Sequence, residues 1–341
     1  MKTKQEKNML TPFLAKSFDH IRCDERGNVL SLHNQYMHER SKNAGKPVYE
    51  PTFFLNGEAI YKGPYFYFDL QNGNYAISKE EYDDKIGIWI NGDRVYSLKR
   101  SNLISEGGII KREGNNTMSA YWRLLNGKLL TSENGNLLYD GNLLLKKGLW
   151  DLAKIFGDSI FGYRLFVSKS YKCFEIDLST GNLIPIDCSG LQYIRYNQGK
   201  LLTFSEGKFF VEKEPFFDLE KYLCELAKQG QNSVPDSFDY SNGILALVFN
   251  TPKNRFKMFW QPFTIHLSDR NGNIIDKKEV STPLLVNGKI VEVNDDYCMY
   301  GNCRYDFEIE YPEKIYYNQV INNHLFVSSG YNWHYKVNLP D

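Results

Sequence analysis

The stretch Asn126-Gly127-Lys128-Leu129-Leu130-Thr131-Ser132-Glu133-Asn134-Gly135-Asn136-Leu137-Leu138-Tyr139-Asp140-Gly141 holds three tight-turn dipeptides separated by short apolar runs. Asn-Gly and Asp-Gly tolerate positive φ at both residues, which the two-residue turns of β-hairpins require. The stretch therefore describes a chain that doubles back repeatedly in short antiparallel strands. The same dipeptide recurs at Asn56-Gly57, Asn72-Gly73, Asn91-Gly92, Asn242-Gly243, Asn271-Gly272 and Asn287-Gly288, which brings the number of such turns to nine. Hairpins at this density predict an all-β chain.

A second pattern follows the turn glycine: Asn or Lys, then two mostly apolar residues that begin the outgoing strand. It appears as Gly27-Asn28-Val29-Leu30, Gly181-Asn182-Leu183-Ile184 and Gly272-Asn273-Ile274-Ile275, and with Lys in Gly199-Lys200-Leu201-Leu202 and Gly288-Lys289-Ile290-Val291. Gly27 and Gly73 lie 46 residues apart, as do Gly135 and Gly181, while Gly181 and Gly272 are 91 apart. A pitch near 46 is that of a four-stranded β-propeller blade. The length divided by that pitch gives about seven blades. The spacing from Gly73 to Gly135 is 62, which marks an insertion or a different turn. Leu165-Phe166-Val167-Ser168 and Leu325-Phe326-Val327-Ser328 match at a separation of 160, nearer four blades of 40, so six and eight blades remain open. One segment breaks the strand pattern. Phe216, Leu219, Tyr222, Leu223 and Leu226 fall at helical spacing, with Asp218 placed to cap the start and Gly230 to stop it. The expectation is one propeller domain over residues 1–341 with an amphipathic helix inserted at 216–230, and a shorter helical turn at 149–156.

Within this array Gly162-Tyr163-Arg164-Leu165-Phe166-Val167, continuing through Cys173-Phe174-Glu175-Ile176-Asp177-Leu178-Ser179-Thr180-Gly181-Asn182, resembles a quinoprotein-type (PQQ-like) propeller repeat: strand, turn, a second strand ending in Asp-Leu, then Thr-Gly. The resemblance covers one blade, with a weaker copy at 325–339. Pro185-Ile186 stands where such repeats carry a tryptophan, so the resemblance implies architecture and no quinone; no cofactor is expected.

Composition excludes more than it assigns. Forty-one basic residues balance 41 acidic ones, so no global field draws nucleic acid or an anionic membrane. The Lys-containing N-terminus is followed by apolar runs too broken for a signal peptide, and no stretch approaches a membrane span, so a cytoplasmic location is expected. Six cysteines in 341 residues read as reduced, mostly buried thiols. There is no phosphate-binding loop, no Gly-x-Ser-x-Gly elbow and no dinucleotide fingerprint. His20, Cys23, His33 and His38 are zinc-type ligands, yet their spacing fits no familiar zinc site.

The candidate site is clustered acid mixed with aromatics. Glu80-Glu81-Tyr82-Asp83-Asp84 is one such run, and 292–313 carries seven acids against the single base Arg304. From these, Asp83, Asp84, Asp295, Asp296, Tyr297, Tyr300, Tyr305, Asp306 and Glu308 are the candidate partner-binding residues. Acid steers encounter with a basic protein and tyrosine anchors the contact. The expected function is a non-catalytic, protein-binding propeller, in concrete form a bacterial immunity protein that covers a basic toxin domain. The alternative is a carbohydrate-binding or carbohydrate-active propeller that uses Trp89, Trp122, Trp150, Trp260 or Trp333 as stacking platforms.

Overall fold

A computed structural model describes residues 11–14, 20–24, 26–45, 48–99, 109–112, 121–158, 161–231, 233–250, 263–280, 284–294, 297–306, 315–321, 324–329 and 333–339. The chain begins with β1 (Thr11–Leu14), and blade 1 follows with β2 (His20–Cys23), β3 (Val29–Tyr36), β4 (Tyr49–Leu55) and β5 (Glu58–Lys62). Blade 2 holds β6 (Tyr67–Gln71), β7 (Asn74–Glu81), β8 (Lys85–Ile90) and β9 (Asp93–Lys99). After β10 (Ile109–Arg112), blade 3 is β11 (Trp122–Leu125), β12 (Lys128–Glu133), β13 (Asn136–Tyr139) and β14 (Asn142–Leu145). Blade 4 is β15 (Leu152–Asp158), β16 (Gly162–Lys169), β17 (Lys172–Ile176) and β18 (Leu183–Ile186). Blade 5 is β19 (Arg195–Asn197), β20 (Lys200–Ser205), β21 (Lys208–Val211) and β22 (Glu214–Asp218). Blade 6 is β23 (Ser237–Ser241), β24 (Ile244–Asn250), β25 (Phe263–Ser268) and β26 (Ile274–Val280). Blade 7 is β27 (Leu284–Val286), β28 (Lys289–Val293), β29 (Tyr297–Tyr300) and β30 (Cys303–Asp306). The last blade takes β31 (Ile315–Ile321), β32 (His324–Ser329) and β33 (Trp333–Asn338) and is completed by β1, which pairs antiparallel with β33. The molecule is thus an eight-bladed β-propeller whose N-terminal strand finishes the final blade.

First strands of successive blades lie side by side, β2 against β6, β6 against β11, β19 against β23 and β23 against β27, so they line the axis while fourth strands face outward. Blades 2 to 7 are therefore covered on both faces by their neighbours. Seven apolar clusters fill the joints from blade 1–2 to blade 7–8, one to each joint. Fully buried Phe53, Leu70, Ile88, Ile155 and Phe166 belong to them, and each such side chain is worth about 2 kcal/mol over its exposed state.

The turn chemistry explains the hairpins. Eight of the nine dipeptides have positive φ at both positions, from Asn287 at 47° and Gly288 at 75° to Asn91 at 51° and Gly92 at 94°. Asn271-Gly272 is the exception. There the turn runs from Asp269 to Asn273, and the Asp269 carboxylate accepts the N–H groups of Asn271 and Asn273, each at 2.8 Å.

Polar joints repeat along the axis. Asp69 on β6, wholly buried, accepts the N–H of Leu124 on β11 at 2.9 Å and faces Nη1 of Arg123 at 3.4 Å. Four blades on, Asp239 on β23 holds the corresponding place: burial pushes its carboxyl above the usual range, against the pull of Arg195 and of the N–H groups of Tyr240 and Leu285. At the turns, Asp24 accepts the N–H of Gly73 at 2.6 Å and Asn197 that of Asn242 at 3.3 Å, each from the next blade.

One sequence expectation is overturned and two gain detail. The count is eight blades, within the open range and one above the quotient. Residues 149–156 form no helical turn. Leu152 to Asp158 is β15, paired with β16 along its whole length, and its side chains alternate between the joints on either side, Ala153 and Ile155 toward blade 3 and Leu152 and Phe156 toward blade 5. A strand buried on both faces is apolar at nearly every position and so mimics helical spacing. The 62-residue interval carries β10, which leaves the path between blades 2 and 3 to pair in parallel with β15, adding a fifth, innermost strand to blade 4. The inserted helix forms as α2 (Leu219–Lys228), with the Asp218 carboxylate accepting the Lys221 N–H at 2.8 Å. Phe216 lies instead in β22, and Leu219 and Leu226 bury in the blade 5–6 joint. A second helix, α1 (His38–Ala44), interrupts the β3–β4 hairpin.

Candidate interaction surface

The strand order separates two ends of the ring. Turns of the first and third hairpins of each blade emerge at one end. Turns of the second hairpins, with the connections between blades, emerge at the other. Asp83 and Asp84 form the tip of the second hairpin of blade 2, both exposed and both left-handed, at φ 62° and 57°. Beside them Tyr82 is 93% exposed. Their neighbour Glu81 is occupied. Its carboxylate accepts Nη2 of Arg94 at 2.8 Å and Oγ of Ser97 at 2.9 Å, bonds that hold it below the usual carboxylate range, that of Arg94 foremost.

The second acidic run divides. Tyr297 is half-buried, paired across strands with Asp306, and its ring lies 3.8 Å under the Arg304 guanidinium. Arg304 Nε in turn donates to Asp306 at 2.5 Å. The one base in the run thus answers one of its acids. Tyr300 and Tyr305 are 2% and 5% exposed and belong to the blade 7–8 core, so they offer no contact surface. Asp295, Asp296 and Glu308 lie outside the described residues. The chain between β28 and β29 that carries the first two is the second hairpin of blade 7, the hairpin position that Asp83 and Asp84 hold in blade 2. The two runs do not form one cluster: blades 8 and 1 stand between blades 7 and 2 in the ring.

Exposed apolar side chains favour the second-hairpin end of blades 1 to 4. Besides Tyr82, Tyr171 at the tip of the second hairpin of blade 4 is 92% exposed, and Tyr49, Phe66, Tyr121 and Leu149 are exposed near the starts of strands at that end. Tyr171 has a second peculiarity. Ser170 and Tyr171 occupy the two central positions of a tight turn at φ 48° and 67°, where most turns of this chain place Asn-Gly. A bulky residue there costs about 1 kcal/mol of backbone energy, and at this exposure its ring gains little packing. Sequence reasoning set Tyr82 among its acids without naming it as an anchor and passed over Tyr171 altogether. The available signal was the replacement of Gly by Tyr in a hairpin turn.

The tryptophans are less available. Trp122 and Trp150 are core residues at 3% and 5% exposure, Trp150 donating its indole N–H to the Gly135 carbonyl at 3.0 Å. The Lys79 ammonium sits 4.4 Å from the half-buried Trp89 ring, and Trp260 lies outside the described residues. Among the described residues no three His, Cys, Asp or Glu side chains gather as metal ligands, and no helix is long and apolar enough to cross a membrane.

No protein-family model and no curated protein matches the chain. Solved structures similar to it include BamB from Moraxella catarrhalis, at 11% identity and a TM-score of 0.39 over 98% of this chain and 95% of that one. The computationally designed Ika8 protein is similar at 9% identity and a TM-score of 0.38, covering 99% and 98% of the two chains. A catalytically inactive virginiamycin B lyase from Staphylococcus aureus is similar at 11% identity and a TM-score of 0.34, over 97% and 99%.

Proposed function

We propose that this propeller is a non-catalytic binding protein that engages a basic protein partner through its second-hairpin end. The observation that carries this is the pair of tyrosines held out almost fully exposed on hairpin tips two blades apart, Tyr82 and Tyr171, the latter at a backbone cost that its own packing does not repay. Tyrosine presents a large, stiff, amphipathic contact, the type that dominates interface energetics. Glu80, Asp83 and Asp84 surround Tyr82 with exposed acid in a chain of zero net charge, which favours a basic partner over an acidic one. In its concrete form the partner is a basic toxin domain such as a nuclease, the protein is the immunity factor that covers it in the cytoplasm, and its gene adjoins that of the toxin. Asp295 and Asp296 extend the acidic character to blade 7. Tyr297 and Asp306, locked with Arg304, contribute shape more than charge.

The test is capture of partners from host lysate with the tagged chain, followed by affinity measurement. A single basic partner is expected. Tyr82→Ala and Tyr171→Ala each weaken it at least about tenfold, and Asp83→Asn with Asp84→Asn flattens its salt dependence. A partner whose affinity ignores all four changes places the working surface elsewhere.

A further inference from the structure

The blade 4–5 joint holds a pair of side chains whose chemistry the packing does not require. Cys173 on β17 stands opposite Ile186 on β18, and Cys188 follows two residues beyond, in the segment that leads into blade 5. Alternation along a strand returns Cys188 to the face of Ile186. Both thiols accordingly sit in one cluster with Phe166, Leu191, Ile194 and Leu201, at 2% and 8% exposure, and each is the strongest electrostatic influence on the other. Cys188 Sγ is also 3.1 Å from the carbonyl oxygen of Gly190. The remaining cysteines are dispersed: Cys23 and Cys298 are buried in other blades, and Cys224 and Cys303 are exposed on α2 and β30. Filling a joint asks only for small apolar side chains; it does not ask for two thiols in contact.

We propose that Cys173 and Cys188 are a redox site, in which a peroxide converts the two thiols into a disulfide that ties the third strand of blade 4 to the segment entering blade 5. The two sulfurs are not equivalent. The Cys173 S–H, with smaller help from the backbone at Gly190 and Phe204, draws the Cys188 thiol below its ordinary value, whereas the same contact and burial hold Cys173 above its own. Cys188 is also the less enclosed of the two, at 8% exposure against 2%, which makes it the attacking sulfur and Cys173 the resolving thiol. Cys188 sulfur attacks one oxygen of hydrogen peroxide, the O–O bond breaks, and the leaving hydroxide takes a proton to become water, leaving a sulfenic acid. Cys173 loses its proton as its sulfur bonds to that of Cys188, and the displaced hydroxyl leaves as a second water. Two thiols are oxidised, one peroxide is reduced to two waters, and atoms and electrons balance. Only a small oxidant suits thiols this enclosed. The link closes over the β17–β18 hairpin, and it is independent of what the second-hairpin end binds.

Both cysteines fall within one tryptic peptide, residues 173–195, which makes the test direct. The folded, full-length chain is treated with hydrogen peroxide at one equivalent over its thiols, alkylated, digested and weighed. The expected peptide resists alkylation at both cysteines, is about 2 Da lighter than the reduced form, as loss of two hydrogens requires, and takes two alkyl groups after reduction. In Cys173→Ser, Cys188 is expected to be trapped as sulfenic acid by dimedone, and in Cys188→Ser the lighter species vanishes. If those variants do not fold, the native-chain experiment decides alone. Oxidation confined to Cys224 and Cys303, sulfinic acid at Cys188 in the native chain, or a link that forms only in denaturant overturns the proposal.

Discussion

Protonation of His266 is expected to loosen blade 6 and its helix in a defined pH window. His266 lies on β25 at 5% exposure, its Nδ1 2.8 Å from the hydroxyl of Tyr222 on α2 and its ring centroid 4.4 Å from that of Phe249. Lys277 stands directly across the strand pair. Burial first, and Lys277 second, bring the imidazole down from 6.5 to about 4. A base with a depressed folded value stays neutral when the unfolded chain already binds a proton, so stability is whole above pH 6.5 and is lost as pH falls from 6.5 toward 4. With those two values the loss is about 2 kcal/mol at pH 5 and about 3 kcal/mol by pH 4. Urea denaturation at pH 7.5, 6 and 5 on the native chain and on His266→Gln measures it, because every other titrating group is common to both and cancels in the difference. The native chain should lose about 2 kcal/mol more than the variant between pH 7.5 and 5. Equal losses in the two chains would show that the imidazole is as easily protonated folded as unfolded, which refutes the account.

Three further outcomes follow from local geometry. A Cβ at Gly272 would stand 2.0 Å from the Phe216 carbonyl oxygen at a φ of 82°, whereas one at Gly57 meets nothing within 4 Å at a φ of 89°; Gly57→Ala should cost about 1 kcal/mol and Gly272→Ala about 3 kcal/mol by chemical denaturation. Asp69→Ala takes the Asp69 carboxylate from the 1%-exposed Arg123; a loss of about 3–5 kcal/mol is expected, and Asp69→Leu combined with Arg123→Met should recover most of it. Tyr171→Gly relieves a left-handed backbone and should raise stability by about 1 kcal/mol while weakening the partner, read by melting and by titration on the same preparation.

The hairpins were legible because their determinant is local. Asn-Gly at positive φ needs no knowledge of the rest of the chain, and it misled only at Asn271-Gly272, where Asp269 recruits the turn into a wider loop. The blade count was harder, because blades differ in length: the first-hairpin turns of blades 1 and 2, Gly27 and Gly73, lie 46 residues apart, whereas other blades are shorter. Gly135 belongs to the second hairpin of blade 3 and Gly181 to the third of blade 4, so their spacing of 46 mixes two registers. The match of Leu165–Ser168 to Leu325–Ser328 compared second strands, β16 and β32, four blades apart, and so averaged the pitch to 40. The parallel pairing of β10 with β15 was out of reach, since no local pattern reports a strand that pairs beyond the next blade.

The candidate site divides along the same physical line. The exposure of Asp83 and Asp84 was legible because a turn is exposed wherever the blade sits. Tyr300 and Tyr305 were not, because both faces of a blade are covered by neighbours, and a tyrosine on its strands is packed even when it stands in an acidic run. In this architecture, exposure belongs to turns and outer edges, and strand alternation does not separate solvent from core. Functional residues should therefore be sought where a turn departs from the dipeptide that folds it best. Tyr171 meets that criterion: eight turns of this chain carry an Asn or Asp followed by Gly with both residues at positive φ, and the second hairpin of blade 4 sets an exposed aromatic in the Gly position instead. Glu212-Lys213 also holds both residues at positive φ, so what sets Tyr171 apart is its nearly bare aromatic ring, an exposure to which the proposed partner gives a use.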